Sequence, residues 1–206
     1  MLRILGKTTS INVRKVLWTC SELSLPFTLE PWGTHELDVE DAAFLALNPN
    51  ALVPVIVDGG VVLWESNTVC RYLVASAGRE DLLPSGPAAR ARVEQWMDWQ
   101  ATELNGSWRV AFLARVRAET GYPDSAVDAS IAAWNRNMAI LDRQLDRAGD
   151  FVLGSDFTLA DVVLGLSTHR WVSTPMVRPD LPAVAAYYER LSERDGFRQH
   201  GRNGVP

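Results

Sequence analysis

Residues 48–66 carry the groups in this chain that are best suited to binding a small peptide. Pro54 has no backbone N–H and therefore belongs at the first residue or the edge of a strand. If the Val53–Pro54 bond is cis, Val53 keeps its own N–H and C=O free to pair with an extended peptide. Ser66 is predicted to cap a helix whose N-terminus favours a ligand carboxylate, and Glu65 offers an acceptor for a ligand ammonium. Together these groups suit a small peptide with a free α-amino acid end.

The spacing of apolar side chains predicts the elements around these residues. Val55–Val57 and Val61–Leu63 flank the sequence Asp58-Gly59-Gly60, which is typical of a hairpin. After Ser66, apolar residues recur at three- and four-residue spacing, and Gly78 is the residue type expected at the C-terminus of a helix. A hairpin followed at once by an amphipathic helix is therefore predicted.

This stretch resembles the N-terminal domain of cytosolic glutathione S-transferases, which carry Asn-Pro, a short loop, Val or Ile, cis-Pro, a hairpin and Glu-Ser in that order. The resemblance extends through most of the chain. It implies that Val53, before cis Pro54, pairs with the cysteine moiety of glutathione, and that Glu65 and Ser66 hold its γ-glutamyl end. The alternative is that Ser66 only caps the helix and that Glu65 is only a surface charge.

The chain is predicted to form two domains. Residues 1–78 show the order β-α-β-α-β-β-α, with strands at Leu2–Leu5 and Phe27–Trp32 and a short helix over residues 40–47. The family resemblance, together with this order, identifies a thioredoxin-like α/β domain. Residues 79–88 combine charges, prolines and a glycine and are typical of a linker. Residues 89–206 are then an all-α domain, as in the glutathione S-transferase fold.

Helical spacing marks the second domain. A long first helix carries Trp96 and Trp99, a second helix runs through residues 131–145, and a final helix is expected near residues 182–194. Thr158-Leu-Ala-Asp161 has the pattern of a capping box. That box resembles the capping element in the helical domain of the same transferases.

The resemblance raises the question of which group activates a bound thiol. A free thiol titrates near about 8.5, so a hydrogen-bond donor aimed at sulfur is needed to raise the thiolate fraction at neutral pH. In the family this donor is a tyrosine, a serine or, in some classes, a cysteine, and no tyrosine occurs here before Tyr72.

The loop that enters the first helix offers four candidate donors: Thr8, Thr9, Ser10 and Asn12. Ser10-Ile-Asn12 stands where some bacterial transferases of the serine/threonine type carry Thr-Pro-Asn. Ser10, followed closely by Asn12, is therefore the favoured catalytic donor. The alternative is that either residue only caps the helix.

One contact expected from the family is not matched. Many members carry Lys, Arg or His just before the Val-Pro pair, where it reaches the glycine carboxylate of glutathione, and this chain has Ala51-Leu52. Lys7, His35 and Asn50 are the candidates to replace it, and Asn50 is favoured by its position.

The acceptor substrate is expected to bind near the end of the first long helix, where Trp108, Arg109 and Phe112 occur. An aromatic pair with an arginine suits a flat, anionic electrophile, whereas the resemblance implies a small hydrophobic one. Judged by spacing alone, Trp108 and Phe112 are more often core residues than substrate contacts, and Arg109 is more often a partner in a surface ion pair.

Composition limits the other classes of function. The chain has 206 residues, a net charge of −5 and no long basic run, which argues against a nucleic-acid partner. No signal-like segment and no apolar run near 18 residues occur, so neither export nor a membrane partner is expected. Cys20 and Cys70 suggest no disulfide framework and favour a cytoplasmic setting. The three histidines show no ligand spacing, so no metal is expected.

The sequence therefore predicts a homodimeric glutathione S-transferase, active in detoxification, in which glutathione is the co-substrate and its thiolate attacks an electrophile. The family also includes dehalogenases, isomerases and disulfide reductases, and the sequence does not choose among these reactions. A non-catalytic glutathione-binding or regulatory protein of the same fold is the alternative. The presence of Glu65-Ser66 argues against it.

Overall fold

The computed structural model describes all 206 residues, from Met1 to Pro206. The strands are β1 (Leu2–Leu5), β2 (Phe27–Glu30), β3 (Val55–Asp58) and β4 (Val61–Trp64). The helices are α1 (Ile11–Leu23), α2 (Ala42–Leu45), α3 (Ser66–Ser76), α4 (Pro87–Trp99), α5 (Asn105–Arg115), α6 (Asp124–Ala148), α7 (Leu159–Ser173), α8 (Pro182–Leu191) and α9 (Asp195–His200). A π-helical turn at Gln100–Leu104 joins α4 to α5. No helix is long and apolar enough to cross a membrane.

The four strands form one mixed sheet in the order β2-β1-β3-β4. β1 and β2 are parallel, and α1 supplies the crossover that a parallel pair requires. β3 runs antiparallel to both β1 and β4, so Ile4 lies between Leu29 and Ile56. This sheet, covered by helices and followed by helices alone, confirms the thioredoxin-like domain and the all-α domain.

Two predicted elements are shorter than expected. β2 ends at Glu30 rather than Trp32, because Pro31 cannot donate to the ladder and the Trp32 N–H turns back to the Glu30 carbonyl at 2.8 Å. The short helix predicted over residues 40–47 is α2, which covers four residues. Its N-cap is Asp41, whose carboxylate accepts from the Ala43 N–H at 2.8 Å.

The hairpin and the loop before it fold as predicted. The Val53–Pro54 peptide bond is cis. Val61 of β4 lies opposite Asp58 of β3, and the turn between them uses a positive φ of 58° at Gly59. Gly78, with a φ of 65°, follows the end of α3 as the spacing indicated.

Ser66 does not cap α3, so that part of the prediction is wrong. Ser66 is the first residue of the helix, and the N-cap position belongs to Glu65, which makes no side-chain capping hydrogen bond. Glu65 has φ 69° and ψ 104°, a conformation that L-residues rarely adopt. The hydroxyl of Ser66 is instead directed at Asn12 on α1, 3.4 Å away.

The long first helix of the second domain is built from α4, the π-turn and α5. It begins at Pro87, a residue type favoured at the first helical position, two residues before the predicted domain start. The boundaries 1–78 and 89–206 remain a prediction. The predicted second helix is α6. The predicted final helix ends earlier, at Leu191, and the separate short helix α9 was not predicted.

The two domains share one apolar core. Trp18 on α1 is fully buried, with ring centroids 5.8 Å from Phe157 and 5.0 Å from Phe197 of the helical domain. Gly196 on α9 permits this approach, because a Cβ there would lie 2.3 Å from Trp18 Cδ1. The cleft between the domains is therefore held by packed aromatic rings on its far side.

Candidate active site

A cleft of about 800 Å³ lies between the two domains. The first domain contributes the loop before α1, the segment after β2 and the loop before Pro54. The second domain contributes α5 and α7, through residues that include Trp108, Phe112 and Arg170. The cleft can hold a molecule of the size of a tripeptide together with a second small molecule.

A smaller polar cavity of about 90 Å³ adjoins this cleft, and Asn12, Leu52 and Val53 line both. The other residues that line it are Asn48, Asn50, Pro54, Trp64, Glu65 and Ser66. Five residues predicted to bind glutathione therefore line this cavity, although they come from two separate stretches of the chain: Asn50, Val53, Pro54, Glu65 and Ser66.

Ser10 lies at the entrance of α1 and faces the large cleft. It occupies the N-cap position with φ −83° and ψ 123°, but its side chain makes no capping hydrogen bond. The hydroxyl is thus free to donate to a ligand, and the first N–H groups of α1 lie beside it with the positive end of the helix dipole. The alternative that the Ser10 side chain caps the helix is not what the structure shows.

Asn12 lies inside the first turn of α1, so it does not cap the helix either. Its amide oxygen accepts from the Ser66 hydroxyl at 3.4 Å, which links α1 to the start of α3. Thr9 also lines the cleft, whereas Thr8 is exposed and does not. Of the four candidate donors, Thr8 alone lies off the wall of the cleft.

Two residues beside the small cavity have positive φ angles that favour glycine. Glu65 has a φ of 69°, and Ala51 has a φ of 54°. Such conformations cost of order 1–3 kcal/mol each and occur where ligands are clamped. The Glu65 carboxylate is exposed and forms no ion pair within the chain, so it is free to meet a ligand ammonium.

The three candidates for the glycine carboxylate differ in their surroundings. The Lys7 ammonium donates to the Gly33 carbonyl at 2.7 Å, and both residues line the large cleft with exposed His35. The Asn50 amide donates to the Asn48 side chain at 2.9 Å and lines the small cavity. Lys7 is the only one of the three with a permanent positive charge.

Trp108 and Phe112 lie on the cleft wall as well as against the core. Their rings are edge-to-face with centroids 5.4 Å apart, and the Trp108 indole donates to the Asn105 side chain at 3.1 Å. Arg109 is exposed on the same wall and forms no ion pair. The expectation from spacing alone, a core position for Trp108 and an ion pair for Arg109, is therefore only half right.

Arg170 on α7 was missed by sequence reasoning. It is 4% exposed, lines the cleft and lies over both aromatic rings, 4.5 Å from the Trp108 centroid and 4.0 Å from that of Phe112. Burial, and then the nearby cations Arg14 and Arg117, lower the pKa of Arg170 to about 9. A signal for it exists in the sequence, because Arg170 is the only lysine or arginine of α7, whose first eight residues are apolar except for Asp161.

A second buried cation lies behind the cleft. Lys15 on α1 is 1% exposed and donates to the side-chain oxygens of Asn67 at 3.2 Å and Gln100 at 2.8 Å. Gln100, the first residue of the π-turn, in turn donates to Asn105, the partner of Trp108. Burial lowers the pKa of Lys15 to about 8. This network ties both domains to the walls of the site.

The cysteines take no part in the cleft. Cys20 and Cys70 are both buried and free, and burial raises their pKa values to about 12 and about 11. A thiol in such surroundings stays protonated and inert. No group of three metal-ligating side chains is present. A reactive thiolate in this cleft must therefore be brought by a ligand.

The thioredoxin-like sheet, the cis-proline loop and the helical wall define a two-domain protein that binds a thiol peptide between its domains. Residues 9–76 match the family model for "Glutathione S-transferase, N-terminal domain", and residues 124–190 match that for "Glutathione S-transferase, C-terminal domain". The chain belongs to the glutathione S-transferase family.

Individual relatives agree with this assignment over most of the chain. Glutathione S-transferase GstB of Escherichia coli strain K12 is 34% identical over 202 residues, which cover 97% of each chain. Glutathione S-transferase theta-1 of Mus musculus is 28% identical over 186 residues, covering 85% of this chain and 77% of that relative.

A solved structure is similar over the full length. It is the theta class glutathione S-transferase from the citrus canker pathogen Xanthomonas axonopodis pv. citri with glutathione bound. It has 33% sequence identity and a TM-score of 0.92, and the match covers 100% of this chain and 99% of that one.

Proposed function

We propose that this protein is a glutathione transferase that activates the thiol of glutathione for attack on an electrophile. The observation that carries the proposal is the 3.4 Å contact between Ser66 and Asn12. This contact joins the start of α3 to the N-terminus of α1. The small cavity, with the unpaired Glu65 carboxylate on its wall, therefore adjoins the larger cleft that Ser10 faces. Relatives named as glutathione transferases support the same activity.

Each group has a distinct part in the proposed reaction. Val53 pairs its backbone with the cysteine residue of glutathione, while Glu65 and Ser66 hold the γ-glutamyl ammonium and carboxylate. The Ser10 hydroxyl donates to the sulfur and favours the thiolate over the thiol. The thiol proton goes to solvent, and the resulting thiolate forms a C–S bond to the electrophile. The leaving group departs with its bonding electrons into the cleft that Trp108 and Arg109 line.

Removing the Ser66 hydroxyl is expected to weaken glutathione binding. Ser66→Ala deletes one hydrogen bond to a charged group, worth roughly 1.5–3 kcal/mol, which corresponds to about a 10- to 150-fold rise in the dissociation constant. Titration calorimetry measures it directly. Thr68→Ala, an exposed change two residues further along α3, serves as the control and should leave the constant unchanged. If both variants have the same dissociation constant for glutathione, Ser66 does not bind glutathione.

We further propose that the protein is a homodimer, and the apolar surface that supports this lies on β4. This edge strand exposes Val61 at 39%, Val62 at 40% and Trp64 at 39% of their surfaces. An exposed apolar edge strand is a pairing surface. The tryptophans of α4, Trp96 and Trp99, are partly buried against the core instead.

Sedimentation velocity is expected to give one species of twice the chain mass of 22.8 kDa at micromolar concentration. Val62→Asp on the exposed edge should shift it to the monomer, because a charge at the centre of an apolar contact loses hydration without gaining a partner. Exposed Ile140 on α6, changed to Asp, is the control. A monomer for the unmodified chain rules the dimer out.

The cellular compartment and the biological role are proposed from the cysteines and from the cleft. Two buried, free cysteines are compatible with a reducing cytoplasm, and the cleft suits the detoxification of small electrophiles. The activity itself is tested by retention on immobilised glutathione followed by turnover of 1-chloro-2,4-dinitrobenzene and a panel of other electrophiles. Retention without turnover of any of them would instead support a non-catalytic glutathione-binding protein.

A further inference from the structure

Arg170 is the one arginine of the cleft wall that is deeply buried and has no hydrogen-bond partner. It is 4% exposed, yet its guanidinium donates no hydrogen bond to the protein and forms no salt bridge, and its Nε is fully enclosed without an acceptor. A buried charge without a partner is rare, because desolvation of the charge must be offset by hydrogen bonds or by an opposite charge.

The aromatic rings under Arg170 do not meet this need. Trp108 and Phe112 lie 4.5 Å and 4.0 Å from the guanidinium carbon and cover a face of the group. The five N–H donors of an arginine point outward in the plane of the guanidinium, where a ring face cannot accept them. Stacking therefore fixes the orientation of Arg170, and its two terminal NH2 groups, unlike the enclosed Nε, are left for a ligand in the cleft.

Two other arginines show how this fold treats an arginine whose role is structural. Arg14 is fully buried and donates to the carbonyl oxygens of Val205 at 2.6 Å and Pro206 at 2.9 Å. Arg178 stacks on Trp171 at 5.6 Å and still donates to the Thr174 carbonyl at 2.6 Å. The Nε of Arg14 is also buried without an acceptor, but both of its terminal nitrogens donate to carbonyl oxygens. Arg170 differs because none of its guanidinium nitrogens has a partner in the protein.

The charges near Arg170 are of one sign. Arg109 and Arg117 lie on the same helical wall, and Arg117 lies 5.6 Å from the Phe112 ring that Arg170 also covers. The only carboxylate on the walls of the cleft is that of Asp38, which belongs to the opposite, first-domain wall and accepts from the Glu40 N–H. The helical wall is cationic and lacks an internal counter-ion.

We propose that Arg170 binds a carboxylate of the acceptor substrate, so that the preferred electrophile is a flat, negatively charged compound rather than a wholly apolar one. This inference rests on the proposed transferase function. Trp108 provides the apolar surface for the ring of the acceptor, and Arg117 adds to the positive potential at the mouth of the cleft. The guanidinium fork matches a carboxylate in two parallel hydrogen bonds.

A matched pair of acceptors tests the proposal: 4-chloro-3,5-dinitrobenzoate and 4-chloro-3,5-dinitrobenzamide. With either one, the thiolate forms a C–S bond at the carbon that carries chlorine, chloride leaves with the electrons of the C–Cl bond, and the thiol proton goes to solvent. Dividing each kcat/KM by the uncatalysed rate with glutathione removes the difference in intrinsic reactivity. We expect the unmodified enzyme to favour the carboxylate by about 10- to 100-fold.

Three variants separate recognition of the acceptor from other effects. Arg170→Gln should bring the ratio of the two acceptors close to one while the KM for glutathione stays within about twofold. Arg170→Lys, which keeps the charge but not the fork, should restore part of the preference. Arg136→Gln removes an exposed arginine of α6 away from the cleft and should leave the ratio unchanged.

A second measurement uses the unmodified protein and therefore does not depend on the folding of a variant. It compares how strongly 3,5-dinitrobenzoate and 3,5-dinitrobenzamide, which have no leaving group, inhibit the turnover of 1-chloro-2,4-dinitrobenzene. Tighter inhibition by the carboxylate supports the proposal. Equal inhibition by the two compounds overturns it, as does an acceptor ratio that is the same with and without Arg170. A raised KM for glutathione in Arg170→Gln with an unchanged ratio overturns it as well, because Arg170 would then bind a carboxylate of glutathione. Absence of glutathione binding and of all turnover would instead defeat the proposed function itself.

Discussion

Replacing Asp161 with alanine is expected to lower the free energy of unfolding by about 3–5 kcal/mol, since it breaks a fully buried network around a charge. Asp161 is 0% exposed. One carboxylate oxygen accepts from the Val152 N–H at 3.0 Å and the Tyr187 hydroxyl at 3.1 Å, and the other accepts from the N–H and the hydroxyl of Thr158 at 2.8 Å and 3.0 Å. The alanine variant leaves the N–H groups of Val152 and Thr158 and the Thr158 hydroxyl buried without this acceptor, while the Tyr187 hydroxyl keeps only the backbone carbonyl of residue 161, at 3.3 Å.

Asp161→Asn is expected to lower the free energy of unfolding less than the alanine variant does, because the amide retains one of the two oxygens as an acceptor. Burial raises the pKa of Asp161 although its hydrogen bonds oppose the rise. The ionised form is therefore disfavoured by folding relative to the unfolded chain, and the asparagine removes that charge as well as two acceptor contacts. The two effects act in opposite directions.

Urea denaturation at a fixed protein concentration, followed by circular dichroism, measures these changes. Asp146→Ala, an exposed change on α6, is the control and should alter the free energy of unfolding by no more than about 0.5 kcal/mol. If Asp161→Ala and Asp146→Ala unfold at the same urea concentration, the hydrogen bonds of Asp161 make no net contribution to stability.

The second large effect is expected at the proposed sulfur donor. Ser10→Ala should raise the pKa of the bound thiol by about 1–2 units, because a hydrogen bond to a charged group is worth roughly 1.5–3 kcal/mol and one pKa unit corresponds to about 1.4 kcal/mol. At neutral pH the thiolate fraction, and with it kcat, should then fall by about 10- to 100-fold. Glutathione affinity should stay nearly the same, since the lost bond favours only the thiolate.

The ultraviolet absorbance of the thiolate, titrated against pH in the glutathione complex, reports this pKa. Asn12→Ala is expected to behave differently, because Asn12 is also the acceptor of the Ser66 hydroxyl and its loss should weaken glutathione binding as well. Thr8→Ala, at an exposed position off the wall of the cleft, is the control. If the Ser10 variant titrates like the unmodified protein while the Asn12 variant shifts upward, Asn12 is the donor.

Local patterns in the sequence were sufficient for much of the fold. Asp58-Gly59-Gly60 between two β-rich runs determined the hairpin, Gly78 marked the end of α3, and the spacing from Thr158 to Asp161 predicted the capping box. Each of these features depends on residues within a few positions of one another. The same is true of the loop at Val53–Pro54, which carried the family resemblance.

The two wrong predictions, the cap of α3 and the end of β2, also have local causes. Ser66 looked like a helix cap because serine is favoured there, but the chain passes from β4 into α3 with only Glu65 between them. The sequence pattern predicts β2 as far as Trp32, but Pro31 cannot donate to the ladder and the strand ends at Glu30. Neither error changed the predicted fold class.

The sequence by itself determined the order of the elements in the first domain and, together with the family resemblance, the two-domain class. It also named the candidate residues of the glutathione site as separate groups. Only the tertiary structure showed that Ser66 meets Asn12 and that Arg170 enters the cleft beside Trp108. These residues lie far apart in the chain, and their contact depends on how α1, α3, α5 and α7 pack across the shared core. Periodicity reports which face of a helix is buried, but it carries no information about which distant side chain that face will meet.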